Sequence, residues 1–493
     1  MKLTRYVCLA LALLLLLSTL AACANNDGNN SKDTQATTES TDANDEVQQA
    51  LNELGDINWG GEEFTVLYAD RFKTECVGVN ETVDKDGGSS QVINDAVYQR
   101  NSLLEDRCNL KYNTIEKEWT ALQTAVSNEA KTGTGDFQLI NSLTSQAATM
   151  ATGKMLYDFL ALDVDVDQPW WDSGTADFCL NEAIYFMSGS INFSDDNVTY
   201  VLIFNKDLLK SYPNIENPYQ TVKNWEWTLD YFNDTIQDIS TNIGDTSKWD
   251  EEDIYGFVTT YEYGSTFFMG SDLRFVVNNR DSDQPELYLS NKSNMERALN
   301  VLDLSKQIYH NNNATYMSPA GEEGKGLSCF KDGRGLFYGE VAAYLAELNK
   351  STDFTYGVLP VPKYDKSQPF YRTWTHSSGS SYSVVSAIKE NQTELVGNIL
   401  QAMAILSHQH LKPAYYDTML TSRNIRDAES AEMLDLIFQN RIYDMAMYFE
   451  QLGLHSVFKN SVNANDDKFS SNYKSATNRF TSQIKGILRK LEK

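Results

Sequence analysis

Between residues 64 and 141 the chain changes its apolar period again and again, and that alternation limits the fold more than any other feature. Residues 64–68 alternate as a strand does, and Val92, Ala96, Val97, Leu103 and Leu104 then recur at helical spacing. Residues 110–115 are strand-like and 119–131 helical; a Gly133-Thr134-Gly135 break leads into a third strand over 136–141. Strands and helices in this order predict a parallel sheet with covering helices, an α/β fold. Ligands of such sheets sit beyond the carboxyl ends of the strands. The rule singles out Asp70 and Arg71 after the first strand, and Ser142 and Thr144 after the third.

A second series occupies the middle of the chain. Residues 198–205 and 254–260 are predicted strands, and 225–239 and 294–309 predicted helices. Short strands follow at 356–360 and 382–387. A helix is then expected from Asn391, where Glu394 completes a capping box and Leu395, Ile399, Met403 and Leu406 form the buried stripe. A longer helix is expected over 427–452, burying Leu434, Phe438, Ile442, Met445 and Phe449 and stopped by Gly453. No repeat of fixed period is present.

The amino terminus speaks to location. Lys2 and Arg5 precede an apolar stretch over 7–20 that is too short for an ordinary spanning helix and ends in Leu20-Ala21-Ala22-Cys23. This ending resembles the bacterial lipobox. The resemblance implies a signal peptide over 1–22 and acylation of Cys23, which would hold the protein on the outer face of the cell membrane through two or more acyl chains. Residues 24–50, rich in Asn, Asp, Ser and Thr, are expected to be a disordered tether, so the linker runs over 23–56. No later stretch has 18 consecutive apolar residues. The remainder, about 435 residues, is long enough for two or three domains.

The formal charge is −27 and becomes −29 when Lys2 and Arg5 are removed. Such a surface repels nucleic acid and anionic lipid heads, so no nucleic-acid partner is expected. Beyond Cys8 and Cys23, four cysteines remain: Cys76, Cys108, Cys179 and Cys329. Two disulfides in any of three pairings, or buried thiols, are both compatible with them. Their spacing matches no zinc pattern. The chain has no Gly-x-Ser-x-Gly elbow, His-Glu-x-x-His or P-loop, and its five histidines are scattered. Asp163-x-Asp165-x-Asp167 imitates the start of a calcium loop, but Gln168 stands where that loop needs glycine and Gly174 where it needs glutamate. No catalytic residue, metal or cofactor is therefore expected.

Several stretches, taken in order, resemble the family 1 extracellular solute-binding proteins, the carbohydrate-type binding subunits of ABC transporters. They are Ala96-Val97-Tyr98-Gln99-Arg100-Asn101, Pro169-Trp170-Trp171-Asp172, Ala183-Ile184-Tyr185-Phe186, Leu202-Ile203-Phe204-Asn205-Lys206-Asp207-Leu208-Leu209 and Tyr356-Gly357-Val358 with Leu359-Pro360-Val361-Pro362. Trp225-Glu226-Trp227-Thr228 stands where the family opens a helix with Thr-Trp, and the segment 426–444 resembles one found in large lipoprotein members. The resemblance implies a two-lobed periplasmic-binding-protein-like fold of type II, with hinge strands between the lobes and the ligand in the cleft. Lobe 1 would comprise 57–194 plus 338–406, and lobe 2 would comprise 195–337 plus 407–493. It further implies ligand contacts at Asp70, Arg71, Ser142, Thr144, Asp195, Asp196, Glu262, Tyr263, Tyr338, Glu340, Trp374 and His376. Trp170 and Trp171 are read as locking a turn. The implied role is that of a monomer delivering a carbohydrate to an ABC transporter permease. An exported glycan-degrading enzyme, or the same fold holding a peptide or polyamine, would draw on similar acidic and aromatic residues.

Overall fold

In chain order the strands are β1 (Glu63–Ala69), β2 (Lys111–Lys117), β3 (Leu139–Leu143), β4 (Phe186–Met187), β5 (Tyr200–Asn205), β6 (Tyr255–Thr260), β7 (Val276–Val277), β8 (Glu286–Leu287), β9 (Thr315–Ser318), β10 (Gly335–Val341), β11 (Tyr356–Leu359), β12 (Thr373–Trp374), β13 (Ser380–Val384) and β14 (Arg441–Ile442). They come from a computed structural model that describes residues 39–78, 91–243, 248–278, 285–420 and 427–492. The signal peptide expected over 1–22 and the lipidation expected at Cys23 lie outside the described residues. Residues 1–48 form one unit and 49–493 another.

Two five-stranded sheets organise the larger unit. The first has the order β2-β1-β3-β13-β4 and the second β11-β5-β10-β6-β9. β1 lies parallel to both β2 and β3, as the early alternation predicts, with Glu63 opposite Lys111 and Val66 opposite Leu139. β13 closes that ladder antiparallel to β3. In the second sheet β6 is parallel to β10 and β9, while β5 runs antiparallel to β10 and β11. Central strands such as β3, β5 and β6 are buried along their whole length, and β5 accordingly reads as a nearly continuous apolar run.

The helices follow the same logic. Gln91–Cys108 buries Ile93, Val97, Arg100, Leu104 and Cys108, whereas Val92 and Leu103 of the expected stripe face solvent. Trp119–Thr132 ends at Gly133, whose left-handed backbone (φ +61°) lets its N–H reach Glu129 O. The chain closes with a helix over Phe469–Leu491 whose buried stripe includes Phe469, Tyr473, Phe480, Ile484 and Leu488. No disulfide joins Cys76, Cys108, Cys179 and Cys329, which are all buried. Burial pushes the Cys76, Cys108 and Cys329 thiols up to about 12. Among the described residues no helix is long and apolar enough to cross a membrane.

Three expectations need correction. The tether is not irregular throughout, because Glu39–Glu53 is helical, with Val47 and Leu51 buried one turn apart. Arg107 donates to the carbonyls of Leu51 and Gly55. The expected lobe boundary at 338 falls inside β10, and the strand at 356–359, expected to return to the first lobe, is an edge of the second sheet. The chain re-enters the first sheet only at β13. Finally, no continuous helix covers 427–452. Ala428–Gln439 stops at Asn440, β14 pairs with β12, and Met445–Tyr448 starts afresh with Asp444 as its cap. Apolar residues at helical spacing misled there because a buried ion pair at Arg441 holds that turn extended.

Asp444 yields a pH prediction. It accepts backbone N–H bonds from Phe275 (2.5 Å), Val276 (3.2 Å) and Ala446 (2.9 Å) and so ties β7 to the following helix. Burial nevertheless outweighs these bonds and pushes its carboxyl up to about 6. Because the folded carboxyl holds its proton at a higher pH than the unfolded one, folding is favoured below pH 4. That contribution, about 3 kcal/mol at 1.36 kcal/mol per unit, is lost as pH rises from 4 to 6. Urea unfolding across that window should show this decline in the wild type. Asp444→Asn should lack it, and equal pH slopes for the two proteins would refute the assignment.

Candidate functional site

The segment linking β12 to β13 shows where the two sheets meet. Thr375 bridges to Thr199 just before β5, and His376 N donates to Val198 O at 2.9 Å. Since β5 opens opposite the end of β10 (Tyr200 opposite Val341), this places 375–376 at the carboxyl end of β10. Three residues later Gly379 O accepts from the backbone N–H of Thr144 (2.8 Å), and Ser380 lies opposite Leu143 at the carboxyl end of β3. The carboxyl ends of the parallel strands of both sheets therefore converge on 375–379, the position at which α/β sheets collect ligands.

On the side of the first sheet, Asp70 and Arg71 are exposed directly after β1. The Asp70 carboxylate accepts from Trp119 N (3.0 Å) at the head of the helix after β2, and the Arg71 guanidinium lies 4.7 Å from the centre of the half-buried Trp119 ring. Gln146, in the helix Thr144–Thr152, donates to Trp119 O (2.8 Å), so this aromatic platform is fixed to the helix that starts at Thr144.

The side of the second sheet is richer in charge. Glu262 follows β6, pairs with Lys459 and keeps 44% of its side chain exposed. Glu340, near the end of β10 and 7% exposed, accepts from Thr260 Oγ1 and Val341 N, both at 2.8 Å. Burial pushes its carboxyl above the usual range. Glu450 accepts from Ser377 Oγ. His376, half-buried, accepts at Nδ1 from Ser378 N (3.1 Å), so its neutral ring carries the proton on Nε2. Burial lowers the pKa of both His376 and His455, against the pull of Glu262 and Glu450, and so favours neutral imidazoles. The arrangement offers neutral and anionic hydrogen-bonding groups beside aromatic faces, with Glu262 opposed by Lys459. Among the described residues no group of three His, Cys, Asp or Glu could hold a metal ion.

Aligned with solved structures, the chain matches the maltose-binding periplasmic protein MalE from Listeria monocytogenes in complex with maltose at a TM-score of 0.54, with 13% identity over 86% of this chain and 98% of that one. It matches the extracellular solute-binding protein from Staphylococcus aureus in complex with maltose at 0.54, with 12% identity over 86% and 98%. It also matches the ABC substrate-binding protein Lmo0181 from Listeria monocytogenes in complex with cycloalternan at 0.53, with 12% identity over 86% and 99%. The fold is the periplasmic-binding-protein fold. All three matched structures are of binding proteins, not enzymes. No family model and no curated protein matches the sequence.

Within the periplasmic-binding-protein fold the expected site residues divide into two groups. Asp70, Arg71, Glu262, Glu340 and His376 line the convergence of strand ends. The others are buried and committed to internal contacts. Ser142 is fully buried, and Thr144 donates its hydroxyl to Gly379 O at 3.0 Å. Tyr263 is buried and donates to Val201 O, and Tyr338 is buried with its ring stacked on Phe330. Trp374, 3% exposed, stacks on Tyr200 and donates its indole N–H to Thr266, so it is a wall behind His376. Asp195 and Asp196 are buried beside Arg441 and Lys412. Trp170 and Trp171 are buried in a turn, as expected. Sequence reasoning missed Trp119, Glu450, His455 and Lys459. Trp119 follows a parallel strand just as Asp70 does, and the same positional rule would have found it. Nothing local marks the other three, which lie in the carboxyl-terminal segment.

Proposed function

We propose that this protein is an extracellular substrate-binding lipoprotein of an ABC importer. It captures a carbohydrate, most simply an oligosaccharide, where the carboxyl ends of the two sheets converge. Acylated Cys23 holds it on the outer face of the cell membrane, and it passes the sugar to a membrane permease by opening about the segments that cross between the sheets. The observation that carries this reading is the pairing of the Arg71–Trp119 platform with the Glu262, Glu340 and His376 group across the 375–379 segment. Aromatic faces cover the apolar side of a sugar ring, while carboxylates and a neutral imidazole take its hydroxyls. The match to sugar-binding structures over most of the chain supports the same reading.

Thermal unfolding against a panel of mono- and oligosaccharides tests it. A sugar at a hundred times its dissociation constant should stabilise the protein by about 2.7 kcal/mol. Stabilisation by polyamines or peptides alone would overturn the sugar assignment. Hydrolysis of a bound glycan would overturn the transport role.

A further inference from the structure

We propose a second sugar-binding site, built around Trp225 on the outer side of the helices Pro218–Lys223 and Ala428–Gln439. The backbone of Trp225 is unusual. Its N–H bonds to Val222 O (2.9 Å) and that of Glu226 to Thr221 O (2.9 Å), the two bonds of a Schellman ending, with Trp225 in the left-handed position at φ +62°. Glycine is the residue that position favours, and a bulky side chain there carries strain that the surroundings must offset. The indole is only partly buried in return, since Trp225 remains 44% exposed.

The ring is nonetheless held firmly. It stacks on the buried ring of Tyr371 at 5.3 Å and 16°, and the ammonium of the fully buried Lys363 lies 4.8 Å from its centre. Trp225 and Tyr371 line a cavity of about 530 Å³, to which the helix Ala428–Gln439 contributes the apolar Met433 and Leu436 beside the polar Glu432, Asp435 and Gln439. This cavity shares no lining residue with the convergence of strand ends. A strained, exposed, immobilised indole lining a cavity with polar side chains is the arrangement of an aromatic platform, not of a core.

Charge selects the ligand. The Lys363 ammonium already occupies the field of both aromatic rings, and Lys223 neutralises Glu432 at 2.7 Å. A cationic ligand would have to compete with both ammonium groups. A neutral polyhydroxylated ring meets no such opposition: its apolar face lies on Trp225, and its hydroxyls reach Asp435 and Gln439. The ligand class is therefore a neutral sugar unit of an extended glycan, held outside the transport site.

Native electrophoresis of the protein in gels containing soluble starch, galactomannan or β-glucan tests this. The wild type should be retarded by at least one polysaccharide. Trp225→Gly, which suits the left-handed position and should keep the fold, is expected to weaken the apparent affinity at least about tenfold, a loss well above the scatter of such gels. Gln439→Ala, on the exposed helix face, should weaken it in the same direction and guards against a folding defect. Glu340→Gln, at the convergence of strand ends, should leave retardation unchanged. Retardation that survives Trp225→Gly, that is lost instead in Glu340→Gln, or that no polysaccharide produces in the wild type overturns the proposal.

Discussion

Replacing Arg441 by methionine should lower the free energy of unfolding by about 3–5 kcal/mol, the usual loss when one partner of a buried ionic cluster is removed. The Arg441 side chain is 7% exposed and meets Asp196 at 2.6 Å, Asp172 at 2.8 Å and Asp195 at 3.7 Å. Among the described residues only Lys412, on Asp196, would remain to balance them. Methionine fills much of the volume against Phe438, so the loss measures stranded charge more than a cavity. Burial, aided by Asp196, already drives the Asp195 carboxyl well above its usual range, and losing the cation drives it further. The deficit in Arg441→Met should therefore shrink as pH falls and the carboxyl takes up a proton. Urea unfolding at neutral and at acid pH reads this directly. A loss below about 1 kcal/mol at pH 7 would mean that the cluster behaves like a surface network.

Glu75→Ala is the second large effect, again about 3–5 kcal/mol, here from stranding hydrogen-bond donors in the interior. The Glu75 carboxylate, 1% exposed, accepts from Ser194 N (2.6 Å) and Phe193 N (3.0 Å) through one oxygen. Its other oxygen accepts from Ser380 Oγ (2.7 Å) and Asn141 Nδ2 (3.0 Å). One side chain thereby fastens β3, β13 and the 193–194 passage toward the second sheet. Glu75→Gln should recover only part of the loss, because its amide nitrogen would face two donors. Denaturant midpoints for both variants check this, and full recovery by glutamine would show that charge and acceptor count are immaterial there.

These two clusters also explain which parts of the molecule were legible from sequence. The β1, β2 and β3 ladder was readable because each strand and its covering helix declare their own period within a few residues. The ion pairing of Asp195 and Asp196 was not legible because their cations, Lys412 and Arg441, lie more than 200 residues away, as the bonds Lys412–Asp196 and Arg441–Asp196 show. An acidic pair beside a passage between sheets gives no local sign of those partners until they fold onto it. The same long-range pairing hid the break in the helix expected over 427–452. Glu262 and His376 could be placed near the strand ends because position after a strand, or within a polar aromatic segment, is a local property. Lys459 and His455 were not found, since only tertiary folding brings the carboxyl-terminal segment to Glu262.

Titration calorimetry of residues 24–493 with the most stabilising sugar, in the wild type and in Trp119→Ala, puts the location of binding to the sharpest test. Truncating that half-exposed platform should weaken affinity by about tenfold or more, the scale of an aromatic contact of about 1.4 kcal/mol, with the unfolding midpoint little changed. Equal affinity for the two proteins would contradict the placement of the ligand where the strand ends converge.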